Sequence, residues 1–172
     1  MPPTSIRLGA ALRAGLFGAI AALIAEIVST RILGVDVNLS ALIGALLLDQ
    51  IGSGPWLLGA AVQFILGLIA GIIYAAIFEW ITHRASWWIG LLIGFGHAAV
   101  AGLALGYLTL LRGPTRAFIP SGSFLIYHGA WAVLLVIVAH LVFGIVAGAA
   151  YGPVRHPIAP WDGRWVDQGA SK

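Results

Sequence analysis

Four side chains in this otherwise apolar chain are of types that could do chemistry: Glu26, Gln63, His97 and His140. His140 is followed at helical spacing by Gly144, Gly148 and Tyr151, and at 100° per residue these fall within one sector of a helix. The same spacing occurs 77 residues earlier as Gln63, Gly67, Gly71 and Tyr74, with Ala70 matching Ala147. His97 shares a face with Gly90, Gly94 and Ala101, and Glu26 shares one with Gly15, Ala19 and Ala22. Small residues along such a face let another backbone approach, and a polar group carried there needs a partner.

Depth brings the four together. Counted at ~1.5 Å per residue from one bilayer face, Glu26 lies roughly 18 Å in from Ala14, and His97 and His140 roughly 16–17 Å in from Ser86 and Tyr151. Gln63 joins them if the two repeats share a depth. The expectation is one polar layer near the bilayer midplane, with Glu26 protonated or hydrogen-bonded inward to a histidine. An acid or base at a helix centre costs at least ~2.5–3.5 kcal/mol on insertion scales, so a partner is needed.

Several chemistries fit such a layer, and the residues leave them open. It could be a hydrogen-bonded network that fixes helix register. It could be a b-type haem site held by His97 and His140, with glycines admitting the ring. A proton or ion path through Glu26 and the histidines is a third choice. A Glu–His–His metal site has suitable ligand types without any fixed-spacing motif. His128 sits about 120° around the helix from His140 and ~18 Å higher, so an outer loop contact is expected for it. His83 and His156 fall in flanks. No Ser-x-x-Lys, G-x-S-x-G, Walker-type or His-Glu-x-x-His pattern exists, so a hydrolase or nucleotide site has no support.

The elements that position the layer follow from composition. The chain has 172 residues, 60% hydrophobic and only 9% charged, far below the ~25% charged of soluble domains. Net charge is +3 without a basic stripe, so nucleic acid is not an expected partner. There are no cysteines, which removes disulfides, thiolate zinc sites and iron–sulfur clusters. Arg7 and Arg13 before an apolar run resemble a signal peptide, but the run continues past Glu26 to Leu33. It reads as a retained first span.

An all-α, integral-membrane four-helix bundle is therefore expected. Its N-terminus covers 1–13, the transmembrane domain 14–152 has spans at 14–33, 56–78, 86–111 and 124–151, and a tail covers 153–172. The apolar piece 39–48 is too short to span, rising only ~15 Å as a helix. It reads as a re-entrant or interfacial helix, capped by Asn38 or Ser40. Trp56, Tyr74, Trp80, Trp87, Trp88 and Tyr151 are candidate interface anchors. Gly67, Gly71, Gly90, Gly94, Gly144 and Gly148 are candidate packing positions. The shared Leu57, Leu58, Gly67, Ala70, Gly71 and Tyr74 pattern suggests two duplicated hairpins, although spans one and three show no convincing alignment.

Basic flanks set the expected orientation. With both termini inside, the inner side carries Arg7, Arg13, Arg84, Arg155, Arg164 and Lys172, against Arg31, Arg112 and Arg116 outside. The bilayer is the one certain partner, and the glycine faces suggest a homo-oligomer or a larger membrane complex.

Across residues 14 to 152 the chain resembles a family of small bacterial four-span membrane proteins of unassigned role. The likeness rests on the glycine-rich first span, Ile43 to Leu48, the Gly67-x-x-x-Gly71-x-x-Tyr74 ending of span two, Gly94-x-x-His97, and His140-Leu-Val-x-Gly144-x-x-x-Gly148-x-x-Tyr151. Family members often carry a histidine in span two, where this chain has Gln63. The resemblance implies a bacterial inner-membrane protein and no particular activity. A non-enzymatic accessory or scaffold-like subunit is the leading expectation, with haem binding or proton and ion conduction as the alternative.

Overall fold

The computed structural model describes residues 5–34 and 37–154. The expected tail 153–172 lies outside the described residues from 155 onward. Five α-helices follow in order: α1 (Leu8–Leu33), α2 (Leu39–Leu48), α3 (Ser53–Ile77), α4 (Trp87–Arg112) and α5 (Ala130–Tyr151). Four of them, all but α2, are long and apolar enough to cross a membrane. The chain is an all-helical, multi-pass membrane protein. Its large exposed side chains are apolar along every long helix, for example Phe17, Ile24, Ile65, Ile73, Val100 and Leu110, as a surface in contact with acyl chains requires.

Helix ends depart from the sequence reading in three places. The first helix starts at Leu8, ahead of Ala14, because Arg7 is held by the last carbonyls of α5: Arg7 Nη2 donates to Tyr151 O at 3.0 Å and Pro153 O at 2.9 Å. The second long helix starts at Ser53 and runs past Ile77 into a π-turn, Phe78–Thr82, which buries Glu79. The fourth starts only at Ala130. Before it, Ser123–His128 forms a 3₁₀ turn in which Phe124 and Leu125 are both left-handed (φ 55° and 61°). There His128 Nε2 meets Ser121 Oγ at 3.1 Å. The short helix has the expected bounds, and Asn38 is its cap, accepting from Ala41 N–H at 2.8 Å.

Glycine sets how the long helices meet. A Cβ on Gly90 would strike the Gly144 carbonyl and the Gly148 Cα; one on Gly15 would strike the Gly67 carbonyl and the Gly71 Cα. Gly148 faces the Ser86 carbonyl as Gly71 faces that of Ala11. The α4–α5 seam thus repeats the α1–α3 seam, with offsets of 75 residues (Gly15 to Gly90) and 77 residues (Gly67 to Gly144). This supplies the alignment of the first and third spans that their sequences do not reveal. Each half contributes an antiparallel pair pointing the same way, a parallel internal repeat of the kind found in transporter folds.

The inserts between the paired spans differ. In the first half α2 packs on α3 with backbones touching, since neither Gly44 nor Gly59 has room for a Cβ against Pro55 and Ser40. In the second half Phe124 and Ser123 of the 3₁₀ turn fill the space left by Gly102 and Gly106. All the packing glycines considered for association between copies are therefore occupied within one chain. Phe143 closes the centre, against Gly18 of α1, Tyr74 of α3 and His97 of α4.

Candidate functional site

The four polar residues read from the sequence come together as two pairs. Repeat equivalence explains this: Gln63 matches His140, but the position matching His97 is Ala22, and Glu26 lies one helical turn beyond it. Glu26 is thus ~6 Å further along its helix than a common level would place it. The longer α1 accounts for the difference: it starts at Leu8, six residues ahead of the expected Ala14.

Glu26 and Gln63 form the first pair, with α2. The Glu26 side chain is almost wholly buried, and Oε1 accepts the Leu39 N–H at 2.7 Å. Gln63 Nε2 donates to Oε2 at 3.4 Å, while Ser40 Oγ donates to Gln63 Oε1. The expected histidine partner of Glu26 is replaced by a helix N-terminus. An N-terminal first turn offers unpaired N–H groups and the positive end of the helix dipole, which suit a carboxyl oxygen as acceptor. Glu26 and Asn38 together satisfy two donors of that turn.

His97 and His140 form the second pair, with ring centroids 4.6 Å apart and planes at 86°. His140 Nδ1 lies 2.7 Å from the Val136 carbonyl. A carbonyl only accepts, so this nitrogen carries the proton and Nε2 keeps the lone pair. His97 Nδ1 lies 3.4 Å from the Tyr74 hydroxyl, and Phe143 and Tyr74 pack edge-on against the same ring.

Both residues expected as aromatic anchors in the repeat, Tyr74 and Tyr151, are buried at 2% exposure, whereas Trp56, Trp80, Trp87 and Trp88 are exposed. Tyr151 belongs to a third cluster, which sequence reasoning missed. Its hydroxyl donates to Glu79 Oε1 at 2.7 Å, and Arg7 lies over its ring at 4.6 Å with Nε 3.8 Å from the same oxygen. Arg7 also neutralises the C-terminal carbonyls of α5. Its partners are 72 and 144 residues away in the chain, and no local pattern marks such a set.

A fourth contact ties α2 to the second half. Asp49 ends α2 in a left-handed conformation, and Oδ1 accepts from Thr115 Oγ1 and from Ala117 N–H. Arg112 Nε donates to Leu46 O at 3.1 Å. The Thr115 hydroxyl, then the Ala117 amide, hold the Asp49 carboxyl below its ordinary value.

These geometries bear on cofactors. A haem iron bound by both imidazoles would place their nitrogens ~4 Å apart and the ring centres about 6 Å apart, with the macrocycle between them. His97 and His140 instead touch each other, and Gly94 and Gly144, the glycines expected to admit a ring, lie against backbone. The pair as arranged does not fit haem. Among the described residues no group of three or more His, Asp and Glu side chains is arranged to hold a metal ion.

No protein-family model, curated protein or solved structure matches the chain.

Proposed function

We propose that the chain is a non-enzymatic subunit of a bacterial inner membrane, with both termini cytoplasmic, that serves as a fixed framework for a larger membrane assembly. It is read as belonging with the small four-span bacterial proteins it resembles. The observation that carries this reading is where the interior polar groups point: Glu26, Gln63, Ser40, Tyr74 and His140 bond to one another, to a neighbouring helix or to backbone. With the glycine seams also closed inside the chain, partners are left to meet the apolar outer faces. Native mass spectrometry of the protein taken from its own membrane in nanodiscs tests this. Recovery with a second protein in fixed ratio is expected, and recovery only as a lone chain would refute it. Reporter fusions at each terminus test the orientation, with signals from the cytoplasmic side expected at both.

Proton movement is a second reading, favoured by the Tyr74–His97 hydrogen bond beside His140. Proteoliposomes separate the two. A proton flux abolished by Glu26→Gln or His97→Phe would replace the framework reading, whereas no flux above protein-free vesicles is expected from it.

A further inference from the structure

At the end of the bundle where α1 begins and α5 ends, a cleft of about 580 Å³ opens between the turn leading into α4 and the chain just after α5. Its polar wall is His83, Arg84 and Ser86; its apolar wall is Trp88, Ile89, Pro153 and Val154. We propose that this cleft binds the headgroup of an anionic phospholipid, with the phosphate on Arg84 and the first acyl carbons along Trp88, Ile89 and Val154.

The turn is built to hold Arg84 in place. His83 is left-handed (φ 51°), and its Nδ1 donates to the Glu79 carbonyl at 2.9 Å, which ties the turn to the end of the π-turn. Thr82 Oγ1 donates to the Arg84 carbonyl at 2.7 Å and fixes the backbone there. Among the described residues no carboxylate pairs with the Arg84 guanidinium, while Arg7 is committed to Glu79 and to α5.

A lipid is favoured over a small free anion by the shape of the site. A volume of about 580 Å³ is within the range of sites that take whole organic ligands, ~300–1,000 Å³. Half of the wall is apolar and would gain nothing from inorganic phosphate. The cleft also lies at the end of a spanning helix beside the exposed Trp87 and Trp88, the level at which tryptophan meets headgroups. Basic clefts between helices at this level select anionic headgroups. The proposal needs the chain to sit in a bilayer but not the framework role or the orientation, because binding is measured in detergent.

The test is native mass spectrometry of the full chain in detergent, titrated with phosphatidylglycerol or phosphatidylcholine. Phosphatidylglycerol is expected to occupy one site at several-fold lower concentration. Arg84→Gln should weaken it about fivefold, the effect of one basic group near a headgroup surface. Arg84→Lys should keep most of the binding, and Arg116→Gln, at the opposite end, all of it. Equal binding of the two lipids, unchanged binding by Arg84→Gln, or equal loss in Arg116→Gln would overturn the proposal. So would displacement by inorganic phosphate as effective as that by a short-chain phosphatidylglycerol, which would make the cleft a simple anion site.

Discussion

The backbone of Gly90 lies so close to the carbonyl of Gly144 that neither residue has room for a Cβ. Gly15 and Gly67 stand in the same relation in the other half. In lipid there is no hydrophobic drive between helices, so close approach of this kind is what holds spans together. Gly90→Ala or Gly144→Ala should therefore destabilise by about 1–3 kcal/mol, the usual cost of overpacking. Gly96, which faces open space, is the control. Unfolding in mixed micelles should show a loss for the first two and none for Gly96→Ala.

Glu26→Ala leaves the Leu39 N–H and the Gln63 amide without their acceptor. A buried donor without a partner costs about 1–3 kcal/mol. Faster amide exchange confined to the first turn of α2 is the expected signature. Exchange rising equally along α1 instead would mean that Glu26 supports its own helix rather than the neighbouring one.

Stability should depend on pH through Asp49. Its folded pKa is depressed by Thr115 and Ala117, so its contribution is fully present above the unfolded value of about 3.9 and is lost as pH falls through the folded one. As pH falls below about 3.9 the loop after α4 should loosen in the wild type. Asp49→Asn tolerates the left-handed conformation and removes the charge, so its loop should show no such change. Protease sensitivity of residues 113–118 reports both.

Arg7 and Tyr151 should be energetically coupled through Glu79. In a double-mutant cycle of Arg7→Ala and Tyr151→Phe, a coupling of about 0.5–3 kcal/mol is expected for residues in one network. Strictly additive losses would show that the two act separately.

How much of this was legible in the sequence depends on the distance over which a residue finds its partner. The Asn38 cap, the bounds of α2 and the glycine spacing of α3 and α5 are local patterns, and the structure has them where the spacing puts them. The level of Glu26 is not legible locally, because α1 begins at Leu8, beside the contact of Arg7 with α5 at the other end of the chain. Tyr74 and Tyr151 carry the composition of interface residues, and only the fold buries them, beside His97 and Glu79. The late start of α5 follows from two consecutive left-handed residues, Phe124 and Leu125, of types whose propensities give no warning of it.

The repeat has a consequence for how the molecule could be taken apart. Each glycine seam is complete within one half, α1 with α3 and α4 with α5, and the halves are joined by the short turn at His83 to Ser86. A chain severed between Arg84 and Ala85 would yield two hairpins, each able to zip on its own. Co-expressed as separate polypeptides, they should reassemble into a complementing pair through Phe143 and the Arg7 clasp.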